Sequence, residues 1–297
     1  MLEQFLRQND ITAVFNESMK KHTTFKVGGN AACVAMPDSV EKRRALIKFL
    51  NENKIRCYFL GNGSNVIFSD EGFDGVIIKT SKLNFVNIDK KNNTAQAGAG
   101  VMMTSFSRMM RENGLGGMEF AYGIPGNIGG GCYMNAGAYG GQMADCVLSV
   151  EYIDQQGNVG TVSRRECDYS YRHSVFMENK WLITSATFQL RLKDKVSMLE
   201  YMEDIMQRRV EKQPLDMPSA GSSFKRPRGY YAAALIDECG LKGFSVGGAR
   251  VSTKHAGFIV NTGSASCADI VALADEVRKT VMEKKGVQLE KEMIIVK

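Results

Sequence analysis

The sequence has no apolar run long enough to cross a bilayer, and runs such as Ala232-Ala-Ala-Leu-Ile236 are far too short. The N-terminus Met1-Leu-Glu-Gln-Phe-Leu-Arg7 also lacks the basic flank and apolar core of a secretory signal. These absences predict a cytoplasmic protein without membrane insertion.

Metal-ligand and disulfide patterns are absent as well. The three histidines form no His-x-x-x-His pair, and the seven cysteines form no Cys-x-x-Cys pair. An odd number of scattered cysteines favours reduced thiols over a disulfide framework. We therefore expect no metal site.

Basic residues do not cluster. The formal net charge of +6 is spread over 297 residues, a length that allows one large domain or two to three smaller ones. Such a charge suits a small molecule that bears phosphate, whereas a nucleic-acid surface concentrates its cations. The sequence indicates neither a nucleic-acid partner nor an obligate protein partner.

Glycine is concentrated in one segment, which we call the glycine-rich segment, Gly123-Ile-Pro-Gly-Asn-Ile-Gly-Gly-Gly-Cys-Tyr-Met-Asn-Ala-Gly-Ala-Tyr-Gly140. Glycine lets backbone amides crowd around an anion, which favours a phosphate cradle. The alternative is a mobile surface loop. The interleaved Ile124, Pro125 and Ile128 argue against that alternative, because a solvated linker would carry polar residues there.

A second glycine turn, Gly61-Asn-Gly-Ser-Asn-Val66, follows a predicted strand. Open α/β sheets bind ligands at this end of a strand. The turn is neither a Walker loop nor a dinucleotide fingerprint, and a plain type I′ hairpin remains an alternative.

Hydrophobic periodicity predicts the other elements, with two helical sets between Leu2 and Phe15 and a domain boundary between Leu192 and Lys195. Helices are predicted at Val40–Asn53, Met102–Asn113, Ser197–Val210, Tyr231–Glu238 and Cys267–Lys285. Strands are predicted at Ala31–Met36, Cys57–Leu60, Val76–Thr80, Phe85–Ile88, Thr94–Ala97, Val147–Ile153, Gly160–Val162, Trp181–Leu192, Phe258–Asn261 and Met293–Val296.

Three polar sites stand out, each with a structural alternative. Arg172 lies among aromatic residues, where a stacked structural role is common. Ser219–Pro227 is a turn rich in small residues that leads to Lys225 and Arg226, and its serines could simply form the turn. Glu290 and Glu292 precede an apolar end and could be exposed on an edge strand. The residues alone predict a soluble protein that binds a phosphate ligand.

Seven motifs occur in order along the chain. They are His22-Thr-Thr-Phe-Lys-Val-Gly-Gly29, Gly61-Asn-Gly-Ser-Asn65, Gly123-Ile-Pro-Gly126, Tyr133-Met-Asn-Ala-Gly-Ala-Tyr-Gly140, Tyr171-Arg-His-Ser174, Gly221-Ser-Ser-Phe-Lys-Arg-Pro227 and Lys254-His-Ala-Gly-Phe-Ile-Val-Asn261. Taken together, they resemble the UDP-N-acetylenolpyruvoylglucosamine reductase family, and the resemblance runs from about His22 to Glu292. With no evident long insertion between Trp181 and Lys212, the chain resembles the shorter, second type of that family.

The resemblance implies an α+β fold, with a two-subdomain FAD-binding fold of the vanillyl-alcohol oxidase type and a C-terminal α+β substrate domain. The expected domains are residues 1–80 with an N-terminal extension, 81–193, and 194–297, whose terminal strand can return to the FAD-binding part. The expected cofactors are non-covalent FAD and NADPH as hydride donor. The implied cofactor-binding residues are Gly61, Asn62, Gly63, Ser64, Asn65, Gly123, Ile124, Pro125, Gly126, Asn127, Gly129, Gly130, Tyr133, Asn135, Ala136, Gly137 and Ile183.

The implied reaction moves a hydride from NADPH to FAD and then to the vinyl carbon of an enolpyruvyl ether. Arg172 and Glu292 match the family positions that stabilise the resulting enolate, with Glu292 acting in its protonated form. Ser222, which directly follows glycine, matches the proton donor. The implied substrate-binding residues are Arg209, Lys212, Lys225, Arg226, Lys254, His255 and Asn261.

Two departures from the family pattern lie beside catalytic candidates. His173 stands where Asp or Asn is commoner, and Lys291 stands where Pro is more usual. Two other functions stay open on the residues: a flavin-dependent alcohol oxidase of the same fold, and a non-catalytic module that binds a nucleotide sugar.

Overall fold

The computed structural model describes residues 1–297. Its helices are α1 Leu2–Gln8, α2 Val40–Glu52, α3 Met103–Glu112, α4 Ile128–Tyr133, α5 Val175–Asn179, α6 Lys195–Lys212, α7 Ala232–Glu238 and α8 Cys267–Lys285. Its strands are β1 Thr12–Ser18, β2 Asn30–Met36, β3 Cys57–Leu60, β4 Val66–Phe68, β5 Phe73–Lys79, β6 Val86–Asp89, β7 Thr94–Gly98, β8 Leu115–Gly116, β9 Gly137–Ala138, β10 Gly141–Gln142, β11 Val147–Ile153, β12 Val159–Ser163, β13 Leu182–Gln189, β14 Arg191–Leu192, β15 Ser245–Val246, β16 Ala249–Val251, β17 Ile259–Asn261 and β18 Ile294–Val296.

The strongly periodic helices are confirmed, and their ends have clear chemical causes. The Ser39 hydroxyl caps α2 by accepting from the amide of Lys42. Ser266 and Asp269 form a reciprocal capping box at the start of α8. That helix ends at Gly286, whose φ of 69° is readily adopted by glycine.

The predicted helical set Ile11–Phe15 is wrong, because residues from Thr12 onwards form β1. The helix before it ends at Asn9, and Asp10 adopts a left-handed φ of 49°. Val14 and Phe15 are exposed, so no core selects the helical face that their spacing suggested. The predicted strand Trp181–Leu192 is also divided, into β13 and β14.

The chain falls into two compact units, which we call unit 1 and unit 2. Unit 1 comprises Met1–Phe15, Cys33–Asn62 and Gly75–Gln207. It contains the five-stranded antiparallel sheet β12-β11-β13-β7-β6, and β3 pairs in parallel with β5. One core includes Ile128, Phe106 and Phe188, and a second includes Leu46 and Ile78.

Unit 2 comprises Asn16–Ala32, Gly63–Asp74 and Arg208–Lys297. It contains the antiparallel sheet β15-β16-β17 and the parallel pair β4–β18. Phe25, Phe224 and residues of α7 and α8 share its core. The Asp70 carboxylate accepts hydrogen bonds from the amides of Cys267 and Ala268, at 2.8 and 2.9 Å, and so also caps α8. The expected domains 1–80, 81–193 and 194–297 stay a prediction.

Two further sequence expectations can be compared with the structure. All seven cysteines are free thiols, six of them buried. None of the eight helices combines the length and apolar character that a bilayer span requires.

Candidate active site

The glycine-rich segment contains the helix α4 and the short strand β9, and two glycines of α4 pack too closely for side chains. A Cβ on Gly129 would lie 2.8 Å from the Cβ of Ala99, and one on Gly131 would lie 2.6 Å from the Met103 sulfur. The Gly129 amide already donates to the Ala99 carbonyl at 2.9 Å. Glycine is therefore needed here for close packing, in addition to any role toward a ligand.

The first two residues of the second glycine turn, Gly61 and Asn62, lie against the start of the glycine-rich segment within unit 1. A Cβ on Gly61 would collide with the Asn127 side-chain oxygen, and the Asn62 amide group donates to the Pro125 carbonyl. The structure thus brings together two stretches that the sequence singled out separately. It also places the Lys79 ammonium 2.7 Å from the Gly61 carbonyl.

Asn127, in the glycine-rich segment, has the features of a ligand-binding residue. It is buried, its side-chain nitrogen lies 3.4 Å from the Thr80 hydroxyl, and its side-chain oxygen has no hydrogen-bond partner. A buried orphan acceptor is costly and calls for a donor from a bound group. Two close glycine turns, an orphan acceptor and an ammonium together fit FAD, which carries hydroxyl donors and a diphosphate.

The second half of the glycine-rich segment is fixed by side-chain hydrogen bonds. Asn135 has a φ of 43°, donates to the Ser170 carbonyl at 2.9 Å and accepts from the Ala144 amide at 3.0 Å. The Ser174 hydroxyl donates to the Tyr133 carbonyl at 2.6 Å. Burial raises the pKa of Tyr133, so its phenol stays neutral at physiological pH.

Arg172 lies next to Gly137, one of the predicted cofactor-binding residues. Its guanidinium is 3.4 Å from the Gly137 carbonyl and 5.1 Å from the centre of the Tyr171 ring. Its φ of 55° belongs to a tight turn that Ser170 and His173 close through reciprocal backbone hydrogen bonds of 3.3 and 3.2 Å. This turn fixes the backbone from which the Arg172 side chain extends.

The remaining unit 1 candidates take supporting positions. Ile183 is 3% exposed and lies in β13, on which α4 packs. The Ala136 amide donates to the Gly131 carbonyl at 2.8 Å, and the Gly123 amide donates to the Thr104 hydroxyl at 3.1 Å. Gly130 faces solvent, and a Cβ there would meet only Asn127, at 3.4 Å.

In unit 2 the structure brings Ser222 and Glu292 together although 70 positions separate them. The Glu292 amide donates to the Ser223 carbonyl at 2.9 Å, and the Lys225 amide donates to the Glu290 carbonyl at 2.8 Å. Ser222 is exposed, whereas the buried Ser223 hydroxyl accepts from the Ile259 amide at 2.9 Å. The two neighbouring serines therefore have different tasks, and Ser222 is the one open to a ligand.

The Gly63–Asn65 part of the second glycine turn adjoins Glu292 within the same unit. The Asn65 side chain donates to the Glu292 carbonyl at 3.1 Å, and the Ile294 amide donates to the Asn65 carbonyl at 2.9 Å. A Cβ on Gly63 would collide with the His22 carbonyl, which explains why glycine is required opposite the His22-Thr-Thr-Phe motif.

The candidate substrate cations differ in availability. Lys225 pairs with Glu290 at 3.2 Å, Arg226 lies 4.0 Å from the centre of the Tyr231 ring, and Lys212 is exposed at the end of α6. Arg209 is 7% exposed, with a guanidinium nitrogen 3.3 Å from the Gln213 side-chain oxygen. Lys254 lines a cavity of about 370 Å³ together with Arg250 and Ser252.

His255 and Asn261 serve the fold directly. His255 Nδ1 lies 3.2 Å from the Gly257 amide, and burial lowers the pKa of the imidazole, which favours its neutral form. The Asn261 side chain donates to the Phe25 carbonyl at 3.2 Å and accepts from the Gly263 and Ala265 amides. Their roles toward substrate stay predictions.

Sequence reasoning did not single out Lys79. The available signal was a lysine that directly follows the apolar run Val76-Ile-Ile78 in a predicted strand. Because lysine is rarely buried without a partner, the sequence alone gave no reason to expect Lys79 inside the structure.

Comparison with known proteins assigns the family. Residues 213–296 match the C-terminal domain of UDP-N-acetylenolpyruvoylglucosamine reductase, and residues 31–163 match an FAD binding domain. UDP-N-acetylenolpyruvoylglucosamine reductases of Caldanaerobacter subterraneus and Clostridium novyi are each 44% identical over 99% of this chain, covering 96% and 95% of those proteins.

Solved structures agree with the sequence relatives. UDP-N-acetylenolpyruvylglucosamine reductase from Thermus caldophilus aligns with a TM-score of 0.81 at 31% identity, over 97% of this chain and 99% of that one. A berberine bridge enzyme variant aligns with a TM-score of 0.51 at 17% identity, over 66% of this chain and 44% of that one, which shows a shared fold only. The expected α+β fold with an FAD-binding part is confirmed. The chain belongs to the UDP-N-acetylenolpyruvoylglucosamine reductase family.

Proposed function

We propose that this chain is an FAD-dependent, NADPH-linked oxidoreductase of peptidoglycan synthesis. It reduces the enolpyruvyl ether of UDP-N-acetylglucosamine-enolpyruvate to UDP-N-acetylmuramate. The observation that carries this function is near-full-length identity of 44% to reductases named for that substrate. We place the reaction in the cytoplasm.

When bound, FAD supplies a two-electron carrier that accepts hydride from NADPH and returns it to the enolpyruvyl double bond. We propose that the Gly61–Asn65 turn and Gly123–Gly130 hold its diphosphate. Residues Tyr133–Gly137 line the flavin ring, and Ile183 supports α4 through β13. The Asn127 side-chain oxygen accepts a hydrogen bond from the bound cofactor. This site binds FAD non-covalently.

Arg172, Glu292 and Ser222 provide the residue chemistry that the substrate needs. The Arg172 guanidinium stabilises negative charge that develops on the substrate carboxylate during hydride addition. Ser222 donates a proton to the neighbouring carbon, and Glu292 donates a hydrogen bond in its protonated form. The exposure of Ser222 and its backbone link to Glu292 through Ser223 support this division.

Cationic side chains near the turn Ser219–Pro227, which we call the serine turn, bind the substrate diphosphate. Charge-assisted hydrogen bonds to phosphate are stronger than neutral ones, which suits Lys and Arg side chains for this task. We assign this role to Arg209, Lys212, Lys225 and Arg226, and we assign Lys254, His255 and Asn261 to other parts of the substrate pocket. All seven residues lie in the proposed substrate domain, 194–297, and residues 1–80 and 81–193 are the proposed FAD-binding subdomains.

An anaerobic titration tests the function. Purified protein should be yellow and release free FAD on denaturation. NADPH should bleach the oxidised flavin absorbance, and the enolpyruvyl substrate should then restore it. A flavin alcohol oxidase would instead be reoxidised by oxygen and not by this substrate. A non-catalytic binding module would be colourless, and either result would contradict the proposal.

A further inference from the structure

Two cations, Lys79 and Arg43, are buried beside the Gly61–Asn62 turn in unit 1, and the reaction described above uses neither. Lys79 is 8% exposed and Arg43 is fully buried. Burial lowers the pKa of Lys79 to about 8, and no carboxylate offsets that effect. Burial lowers the pKa of Arg43 to about 10, with only Asp38 acting in the opposite direction.

The backbone places the Lys79 side chain next to the Gly61–Asn62 turn. Parallel pairing of β3 and β5 sets Lys79 beside Leu60, the residue that precedes the turn. The Lys79 ammonium donates to the Gly61 carbonyl at 2.7 Å. Arg43 supports this arrangement from α2, because its guanidinium donates to the Lys79 carbonyl at 3.3 Å and the Ser39 carbonyl at 2.9 Å.

A carbonyl alone is poor compensation for a buried ammonium. Burying an ammonium without a counter-ion costs stability, and proteins retain such groups mainly at functional sites. The turn that Lys79 touches also contacts the glycine-rich segment, since Asn62 donates to the Pro125 carbonyl. An anion at this turn would supply the charge that Lys79 lacks.

We propose that Lys79 is a cofactor-binding residue whose ammonium provides the counter-charge for the FAD diphosphate at the Gly61–Asn62 turn. This inference rests on the proposed FAD-dependent function. The alternative is that Lys79 only holds the turn in shape through the Gly61 carbonyl.

The proposal links FAD affinity to pH. A bound diphosphate favours the charged ammonium, so it raises the pKa of Lys79 and binding takes up a proton. Affinity is therefore greatest below pH 8 and falls as pH rises from about 8 towards the higher pKa of the bound state. Among the neighbouring groups, Arg43 on α2 stays charged, while burial keeps Tyr58 on β3 and Tyr133 on α4 neutral.

The size of the effect follows from the same linkage. If the diphosphate restores the Lys79 pKa towards its ordinary value of about 10.4, the shift is about two units, or about 100-fold in affinity. We therefore expect Lys79→Met to weaken FAD binding by about 10- to 100-fold at pH 7. Lys79→Arg, which stays charged, should bind FAD without the decline above pH 8.

The test is FAD titration of deflavinated full-length protein, followed by flavin fluorescence between pH 6.5 and 9.5. Lys82→Met is the matched control, because Lys82 is exposed three positions further along. It should bind FAD like the wild type. The flavin-free Lys79→Met protein should melt at the wild-type temperature or above it, because a buried uncompensated cation has been removed.

Each adverse outcome has a distinct meaning. If Lys79→Met binds FAD as tightly as the wild type, the counter-charge proposal is wrong. If the flavin-free variant melts well below the wild type, Lys79 is a structural support of the turn, which also overturns the proposal. If the wild-type protein itself does not bind FAD, the proposed function fails.

Discussion

The glycine-rich segment in unit 1 and the serine turn 219–227 in unit 2 are built on opposite principles. In the first, the decisive feature is missing side chains, since Gly129 and Gly131 sit where a Cβ would collide with Ala99 and Met103. In the second, two neighbouring serines differ in their environment: Ser222 is exposed, whereas Ser223 is buried and hydrogen-bonded. Backbone space defines one site, and side-chain environment defines the other.

This difference matters for how each region can be recognised. A cluster of glycines is visible in the sequence because its composition is unusual. The nearness of Ser222 to Glu292, in contrast, becomes visible only in the structure, where the Glu292 amide donates to the Ser223 carbonyl. Substitutions that alter either the backbone space around a glycine or the environment of a serine can therefore test the two regions separately.

The largest effect should come from Ser222→Ala. Removing a proton donor should lower kcat by about 10²–10⁴-fold without lowering stability, because the side chain is exposed. Ser223→Ala is the matched control. It should cost about 1–3 kcal/mol of stability, since it removes the acceptor for the Ile259 amide. Steady-state kinetics and thermal melting check both, and equal kinetic losses would contradict the division of roles.

Asn135→Asp should be the next largest, because Asn135 is one position where a side chain fixes the glycine-rich segment. The change replaces a buried donor to the Ser170 carbonyl by a carboxylate oxygen. It should cost about 2–4 kcal/mol in unfolding free energy, measured by chemical denaturation. The φ of 43° is tolerated by Asp as well as Asn, so backbone strain does not confound the result. A loss below 0.5 kcal/mol would show that backbone packing alone holds the segment.

Gly129→Ala and Gly130→Ala sharpen the comparison within one helix. The Cβ at position 129 meets the Ala99 Cβ at 2.8 Å, so it should cost about 1–3 kcal/mol of stability. The Cβ at position 130 meets only Asn127, at 3.4 Å, so stability should hold. FAD affinity should fall in both if α4 faces the cofactor. Differential scanning fluorimetry with and without FAD separates the two effects.

The smallest effect comes from Ser266→Ala, which lies outside both regions. Loss of the α8 capping box should cost about 1 kcal/mol in chemical denaturation. FAD affinity and kcat should not change. A lower kcat in this variant would mean that a loss of stability alone reduces activity. The lower kcat predicted for Ser222→Ala would then no longer be specific evidence for a proton donor.

The sequence predicted long periodic elements well, because one core face dominates helices such as α2 and α8. It failed at Thr12–Phe15, where exposed apolar residues mimic helical spacing. It did not predict α4, since three consecutive glycines have low helix propensity and the packing of α4 on β13, Ala99 and Met103 is visible only in the structure. Lys79 was missed because its importance depends on burial beside the Gly61 carbonyl.

The candidate site was similarly divided. The glycine turns could be found from composition, and FAD was suggested only by the ordered resemblance to the reductase family. The resemblance selected Ser222 because it directly follows glycine, whereas the burial of Ser223 and its hydrogen bond to the Ile259 amide could be found only in the structure.

Separate measurement of the two half-reactions of Ser222→Ala tests the central claim, that the glycine-rich segment serves the cofactor and the serine turn serves the substrate. Stopped-flow absorbance under anaerobic conditions would follow flavin reduction by NADPH and then reoxidation by the enolpyruvyl substrate. We predict an unchanged first rate and a second rate lower by about 10²–10⁴-fold. Wild-type reoxidation, or an equal loss in both rates, would contradict the claim.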